Sequence, residues 1–190
     1  MRDIDYRIAE LAKPYLNTRK NDIHTEKSCQ YAITLLESEP GDPEIVIPAI
    51  LCHDLGWIKL TEDLQSKAFN PKGQDPELLR IHEVEGVKLA REVLNQVAYD
   101  PQKTEEILEI IEGHDSRLAA LSDNDKIVKD ADKLFRFSQV AVEGIIERFE
   151  FEITGYLKHL SAQIEPWFFT DTAKKLAVQE LEKTARTFDA

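Results

Sequence analysis

The chain has 190 residues, of which 42% are hydrophobic and 32% charged, a composition typical of a globular protein with one continuous core. Its 24 basic and 36 acidic residues give a formal net charge of −12, which repels long polyanions and argues against a nucleic-acid-binding surface. No apolar run approaches the roughly 20 residues of a membrane-spanning helix, and the acidic N-terminus is unlike a secretory signal. We therefore expect one cytoplasmic domain over residues 1–190 whose ligand is a small molecule.

Apolar residues recur at steps of three and four through most of the sequence, and this period predicts amphipathic helices. Residues 44–54, with the sequence EIVIPAILCHD, are apolar on nearly every side, so we expect this helix in the middle of the core. Pro43 suits the first turn of that helix after Asp42, and Pro48 predicts a kink in it.

The next part of the chain contains turn signals followed by a long helix. Gly56 is expected to close the central helix. Residues 60–76 hold Asn-Pro and Lys-Gly-Gln-Asp-Pro signals with little periodicity, which predicts a loop of the kind that often covers a site. A helix is then expected from about 77 to 98, with an apolar face formed by Leu78, Ile81, Val84, Leu89, Val93 and Val97.

The remaining sequence predicts further helices and no convincing strand. A helix is expected over residues 103–113, and Ser122-Asp123-Asn124 predicts a turn or cap before the next one. The C-terminal third is expected to contain an amphipathic segment up to about residue 164, a break at Pro166 and a charged final helix over about 170–187. These patterns predict an all-α bundle of about seven to nine helices.

The histidines indicate where the chemistry is concentrated. Of the five histidines, four lie beside helix boundaries or in buried helical segments, namely His24, His53, His82 and His114. His53 and Asp54 end the most apolar helix, where an unpaired carboxylate is costly and a divalent cation would neutralise it. Imidazole and carboxylate donors without thiolates suit iron, manganese, nickel, cobalt or zinc. Four imidazoles and two carboxylates are too many for one tetrahedral ion and suit two octahedral ions that share a carboxylate.

Six such residues occur in ordered motifs: His24, His53-Asp54 in AILCHDLGW, His82 in RIHEVEG, His114 in IIEGHDSR and Asp132 in VKDADKLFR. The His-Asp dipeptide alone is a weak signal, whereas the ordered set resembles the HD superfamily of metal-dependent phosphohydrolases. The resemblance covers about residues 20–140 and leaves a helical extension over 141–190. It implies a single compact all-α HD domain.

Carried over position by position, the resemblance assigns one metal to four ligands, His24, His53, Asp54 and Asp132. It assigns a second metal to His82 and His114, a pair that single-metal members of the superfamily lack. Asp54 would then bridge both ions. The resemblance thus implies two divalent transition-metal ions, with iron or manganese favoured among iron, manganese, nickel, cobalt and zinc.

Two neighbouring sets of acidic residues leave alternatives open. Asp130 is a second candidate for the last ligand, but the family motif of Ala-Asp, a basic residue and leucine matches residues 131–134 and favours Asp132. Glu83 and Glu85 flank His82 and are candidates for hydrogen-bond partners of the site or for a proton acceptor. Their alternative interpretation is a solvated helix face.

The resemblance also implies a reaction, in which a metal-activated water attacks phosphorus and the ions stabilise the displaced oxygens. Asp54 and Lys133, which follows Asp132, are the candidate catalytic residues. The basic residues near the motifs are candidate phosphate contacts, with surface or ion-paired cations as the alternative: Lys59, Arg80, Arg117 and Arg136. Members that act on cyclic dinucleotides carry a lysine where this chain has Trp57, which argues against that activity.

The sequence is compatible with three functions. The leading one is a phosphohydrolase of a small phosphorylated metabolite or nucleotide. The second is a di-iron oxygenase of the HD fold, because a minor branch of the superfamily uses the same ligands to activate oxygen. The third is a catalytically silent domain that binds a ligand. As partners we expect a small phosphorylated substrate, neither a nucleic acid polymer nor a membrane, and a homodimer supported by the C-terminal helices.

Overall fold

The computed structural model of the chain describes residues 1–18, 20–68, 73 and 75–188. These residues form ten α-helices and no strand, so the all-α class is confirmed with one helix more than expected. The helices are α1 (Asp3–Ala12), α2 (Asn21–Leu36), α3 (Pro43–Cys52), α4 (Glu62–Ala68), α5 (Pro76–Gln96), α6 (Pro101–Ile111), α7 (Asp123–Phe135), α8 (Gln139–Phe149), α9 (Ile153–Trp167) and α10 (Asp171–Phe188). Two short 3₁₀ helices are Lys13–Tyr15 and Leu55–Lys59. In the described ranges, no helix is both long and apolar enough to cross a membrane.

Helix α3 lies in the middle of the core, as its apolar sequence predicts. All of its side chains after Glu44 are buried, and it packs against α1, α2, α6 and α7. Asp42 caps it by accepting the backbone N–H of Glu44 at 2.8 Å, and Pro43 occupies the first turn. Pro48 lies inside the helix and has no N–H to give to the carbonyl of Glu44, which accepts the hydroxyl of Tyr99 instead. The core thus tolerates this proline because a side chain replaces the missing donor.

Gly56 brings the turn after α3 against α5. The prediction that Gly56 closes the central helix is wrong, because α3 ends at Cys52 and Gly56 lies within the following 3₁₀ helix. A Cβ at Gly56 would lie 1.8 Å from the carbonyl oxygen of His82 and 2.6 Å from the backbone nitrogen of Gly86. Only glycine permits this approach, which places His82 beside the residues that end α3.

The segment 60–76 is not the continuous loop that its turn signals predict. Helix α4 forms within it, and the buried amide of Gln65 donates to the carbonyls of Trp57 at 2.9 Å and Leu60 at 2.8 Å. These tertiary hydrogen bonds stabilise a short helix that periodicity does not reveal. The prediction that this segment covers the site also involves residues 69–72 and 74, which lie outside the described residues.

In the first half of α5, the buried residues differ from those that the apolar pattern predicts. Ile81, expected on the apolar face, is 43% exposed, whereas His82 and Glu83 are completely buried. The predicted core residues Leu89 and Val93 are buried. The first half of the helix therefore faces a polar cluster, and only its second half faces the hydrocarbon core.

The C-terminal helices pack back onto the part of the chain that carries the motifs. Ser122 caps α7 by accepting the N–H of Asp125 at 3.2 Å, as the turn signal predicts. The break expected at Pro166 comes at Phe168, whose backbone is extended, because a proline in the last turn removes one hydrogen bond without stopping the residue after it. Helix α10 then packs against α7 and α9.

Candidate metal centre

All six predicted ligands lie together where α2, α3, α5, α6 and α7 meet, with His114 in the turn that follows α6. Five of them are buried, and the sixth, His24, has a side chain that is 14% exposed. Their nitrogen and oxygen atoms form overlapping groups with separations within 4.8 Å. The centre therefore consists of side chains from distant parts of the sequence that share one buried volume.

The first group of donor atoms surrounds Nε2 of His24. This atom lies 2.9 Å from Nε2 of His53, 3.2 Å from Oδ2 of Asp54 and 3.2 Å from Oδ1 of Asp132. Nε2 of His53 lies 3.5 Å from the same oxygen of Asp54 and 3.6 Å from that of Asp132. Donors about 2.1 Å from one ion are separated by ~3.0 Å in octahedral and ~3.4 Å in tetrahedral geometry. These four side chains therefore fit a single divalent cation.

The second group uses the other oxygen of Asp54. Nε2 of His114 lies 3.4 Å from Oδ1 of Asp54 and 3.3 Å from Nε2 of His82, and the distance from His82 to the same Oδ1 is 3.9 Å. The indole N–H of Trp57 donates to Oδ1 of Asp54 at 3.0 Å, and its ring stacks on His82 with centroids 3.8 Å apart. Asp54 thus directs one oxygen towards each group, and Trp57 holds the second of these oxygens beside the ring of His82.

Two of the histidines are oriented by carbonyls of their own helices. Nδ1 of His53 lies 2.7 Å from the carbonyl of Ile50, and Nδ1 of His114 lies 2.9 Å from that of Ile111. A carbonyl oxygen can only accept, so each Nδ1 carries the hydrogen and the neutral ring has its lone pair on Nε2. In both rings Nε2 is the atom that faces the carboxylates, so a cation bound there would take the place of a proton on Nε2.

The pKa values in the cluster also match a cation site. Burial acts to raise the pKa of Asp54, but His53 and His114 outweigh it and hold that pKa well below its usual range. Burial acts to lower the pKa of His114, but the carboxylates of Asp115 and Asp54 raise it to about 10. Burial lowers the pKa of His82 to about 4. The metal-free cluster thus keeps Asp54 ionised and places a proton on His114 where a metal can replace it.

Asp132, and not Asp130, faces the histidines. Asp130 accepts the backbone N–H of Phe169 at 2.9 Å and both the N–H and the hydroxyl of Thr170 at 2.9 and 2.8 Å. Burial raises its pKa to about 6. Residues two apart on a helix point in different directions, so Asp130 anchors the start of α10 while Asp132 reaches the metal centre. Within the described part of the chain, the buried Oδ2 of Asp132 has no hydrogen-bond partner, as a potential ligand atom would.

Asp115 belongs to the site and was not identified from the sequence. Its Oδ2 lies 3.6 Å from Nε2 of His82 and 3.7 Å from Nε2 of His114. It follows His114 directly, as Asp54 follows His53. This second His-Asp dipeptide was the available signal.

Glu83 holds the turn that contains Asp115. It is completely buried and accepts the N–H groups of Asp115 at 3.1 Å and Ser116 at 2.8 Å and the hydroxyl of Ser116 at 2.7 Å. Glu83 is therefore a hydrogen-bond partner of the site, as one of its two interpretations proposed. Glu85 instead pairs with Lys88 at the surface.

Lys129 holds the same turn from the opposite side. Its ammonium is buried and donates to the carbonyls of Gly113 at 2.5 Å, His114 at 2.9 Å and Arg117 at 2.9 Å. Burial lowers its pKa to about 8. A carboxylate thus satisfies the donors of this turn, and an ammonium satisfies its acceptors. We call Glu83 and Lys129 together the polar clamp.

Two of the predicted phosphate contacts make structural ion pairs. Arg80 pairs with the carboxylates of Glu112 and, at 3.4 Å, of Glu83. Arg117 pairs with the buried carboxylate of Asp125 at 3.1 Å. Both guanidinium groups tie helices to loops, which is the alternative that the sequence left open for them.

The two lysines among the predicted site residues lie in less enclosed positions. Lys59 is exposed at the end of a 3₁₀ helix, and Lys133 is half-buried on α7. Neither ammonium makes an ion pair with a described residue. Their roles in substrate binding and catalysis stay predictions.

Arg136 pairs with a carboxylate that lies beside the histidines of the centre. Its guanidinium is 3.6 Å from Oδ1 of Asp115 and lies over the ring of Trp167, 5.6 Å from the centroid. Burial acts to lower its pKa, but the carboxylates of Asp132 and Asp115 outweigh it, so the pKa is raised. The site thus has a fixed positive charge at its border.

The described residues form a helical fold that gathers four histidines and at least two carboxylates from distant parts of the chain into a buried cluster that could hold metal ions. Residues 21–136 match the model of a protein family described as the HD domain. This match covers more than half of the chain, which therefore belongs to the HD domain family. The crystal structure of a predicted HD superfamily hydrolase from an uncultured Thermotogales bacterium is similar in fold, with a TM-score of 0.62, 19% identity and coverage of 97% of this chain and 88% of that one. No curated protein matches the chain.

Proposed function

We propose that the chain is a metal-dependent phosphohydrolase that acts on a small phosphorylated metabolite or nucleotide with two divalent metal ions. The observation that carries this proposal is the carboxylate of Asp54, whose Oδ2 faces His24 and His53 and whose Oδ1 faces His114. A carboxylate with each oxygen in a separate donor group suits a bridge between two cations a few Å apart. Bound in this way, the two ions supply an activated water and stabilise the charge of the displaced oxygens.

The border of the centre suits an anionic group. The side chains of His24, Asp115 and Arg136 are 14%, 16% and 33% exposed, whereas the five remaining predicted ligands are almost completely buried. A substrate therefore meets Arg136 as it reaches the donor atoms. The planar guanidinium can bind two phosphate oxygens at once, and Trp167 restricts its orientation from one side.

The overall charge limits the size of the substrate. With a net charge of −12, the chain repels a long polyanion, whereas a single phosphate group feels mainly the nearby cations. Among the predicted phosphate contacts, Arg80 and Arg117 pair with carboxylates outside the ligand cluster, whereas Arg136 pairs with Asp115, which lies beside His82 and His114. We therefore assign the phosphate contact to Arg136 first, with Lys133 and Lys59 as further candidates.

The test uses metal-free protein reloaded with Mn²⁺, Fe²⁺ or Co²⁺ and incubated without oxygen with phosphomonoesters, phosphodiesters, nucleotides and pyrophosphate. We expect phosphate or nucleotide release from at least one compound. Arg136→Gln should raise the KM for that compound because a charged hydrogen bond to phosphate is lost. Arg186→Gln is the matched control, since Arg186 is exposed on α10 and, among the described residues, pairs with the surface side chain of Glu182.

Two results would overturn the proposal. Turnover that requires both iron and oxygen would identify the oxygenase alternative. Tight binding of one phosphate compound without turnover with any metal would identify a silent ligand-binding domain.

A further inference from the structure

The two donor groups differ in their number of carboxylates if only the six predicted ligands are counted. The first group contains two imidazoles, one oxygen of Asp54 and the separate carboxylate of Asp132. The second contains His82, His114 and the other oxygen of Asp54, with no carboxylate of its own. A dication with two neutral imidazoles and half of a shared carboxylate keeps most of its charge uncompensated.

Asp115 occupies the place that would equalise the groups. Its Oδ2 lies 3.6 Å from Nε2 of His82 and 3.7 Å from Nε2 of His114, close to the separations of 3.5 and 3.6 Å from His53 to the carboxylates of the first group. We propose that Asp115 is a seventh ligand, the carboxylate of the second metal. This inference rests on the two-metal centre of the proposed function.

The surroundings of Asp115 fit a ligand better than a simple partner of Arg136. The guanidinium approaches Oδ1 at 3.6 Å, so it faces the oxygen that points away from the histidines. Oδ2 is left facing two imidazole nitrogens, in a side chain that is only 16% exposed. Glu83 fixes the backbone of Asp115 through its N–H, which holds the carboxylate in this orientation before any ion binds.

The inference gives each ion the same donor set of two imidazoles, one oxygen of the shared Asp54 and one carboxylate of its own. Four protein donors would not fill an octahedral sphere, so these residues would leave each ion room for water and substrate. Arg136 would then contact a ligand of the second ion at the border where an anion enters.

The experiment is a titration of metal-free protein with Mn²⁺, in which free ions are measured by electron paramagnetic resonance and bound ions by elemental analysis. The unaltered chain should bind two ions. Asp115→Asn keeps the shape but removes the charge, and it should retain the first ion while raising the dissociation constant of the second by at least about tenfold. Asp123→Asn is the matched control, because it removes one exposed carboxylate on α7 and should change neither constant.

Arg136→Gln separates a ligand from a residue that only holds the arginine. If Asp115 is a ligand, this change leaves two ions bound with an unchanged or lower second dissociation constant, because it removes a positive charge next to the ion. The inference would be overturned if Arg136→Gln and Asp115→Asn raised the dissociation constant of the second ion equally. Unchanged constants in Asp115→Asn, or loss of both ions in it, would also overturn the inference.

Failure of the underlying function gives a different result. If the unaltered chain binds only one ion, the two-metal proposal fails and the inference with it. Two ions in the unaltered chain and two equally tight ions in Asp115→Asn would overturn only the role of Asp115.

Discussion

The two halves of the metal centre are positioned by different forces. His24 and Asp132 lie on α2 and α7, which pack against each other and against the apolar helix α3. His114 and Asp115 lie in a turn after α6 whose backbone is held by the polar clamp of Glu83 and Lys129. Apolar packing thus places the first half, and hydrogen bonds to buried charges place the second.

This difference determines which substitutions should disrupt each half of the centre. Apolar packing is distributed over many contacts, so it loses little when one distant side chain changes. A buried charge that loses its partners is strongly destabilising, so the polar clamp depends on each of its members. We therefore expect changes in the clamp to affect the second half selectively, and changes in Asp54 to affect both halves.

The largest effect is expected at Asp54, which both halves share. Asp54→Asn removes the charge that faces both donor groups, so we expect loss of both ions and a decrease in phosphate release of about 10³-fold or more, since metal ions contribute several kcal/mol to such reactions. Elemental analysis and the hydrolysis assay measure the two effects. Unchanged metal content would show that the centre is wrongly assigned.

A large but one-sided effect is expected at Lys129. Lys129→Met leaves three backbone carbonyls without this donor. This loss should lower the free energy of unfolding by about 3–5 kcal/mol and raise the dissociation constant of the second ion about 10- to 100-fold. Urea unfolding and Mn²⁺ titration measure these changes. Lys126→Met is the matched control, because Lys126 is an exposed lysine on the same helix. An equal rise in the dissociation constants of both ions would contradict the conclusion that different contacts position the two halves.

Binding of the second ion should depend on pH through His114, as binding of the first should through His53, whose pKa is raised by the carboxylates of Asp54 and Asp132 against the effect of burial. In the metal-free protein Asp115 and Asp54 raise the pKa of His114 to about 10, so its ring carries a proton at pH 7 that a metal must displace. The apparent affinity for the second ion should therefore increase as pH rises, by about tenfold per unit below the pKa. Calorimetry between pH 6 and 8 in buffers of different ionisation enthalpy should detect release of about one proton from this ring. Binding without proton release from the second half would contradict the prediction.

The smallest effect is expected at Trp57. Trp57→Phe keeps an aromatic ring against His82 but removes the indole N–H that donates to Oδ1 of Asp54. The loss of one buried hydrogen bond of about 1 kcal/mol should raise the dissociation constant of the second ion about fivefold. The dissociation constant of the first ion should rise less. Metal titration measures both constants, with Tyr6→Phe as the control, because Tyr6 is an exposed aromatic residue on α1. A larger effect on the first ion would reverse the expected order.

Features that depend on a few neighbouring residues could be predicted from the sequence. Asp42 and Ser122 cap their helices because a cap is formed by a side chain and the N–H groups two or three residues later. The buried position of α3 follows from an apolar surface on all sides. The ordered histidine motifs located six side chains that the fold brings together in one cluster.

Features that depend on distant contacts could not be predicted. The second His-Asp dipeptide marks Asp115 as a candidate, but the position of its side chain beside the histidines depends on Glu83, far away in the sequence, which fixes the turn. Ile81 is exposed because the polar site, and not the apolar core, faces that part of α5. Lys129 shows no local sign of its role, since its three acceptors are backbone carbonyls of another segment.

The chain contains two tryptophans, and both border the metal centre. Trp57 stacks on His82, and Trp167 lies against Arg136. Indole emission is quenched by nearby transition-metal ions with unpaired electrons and changes when a stacked cation moves. The tryptophan fluorescence of this chain therefore originates entirely at the site, so that Trp57 should signal the arrival of a metal and Trp167 the arrival of an anion without any added label.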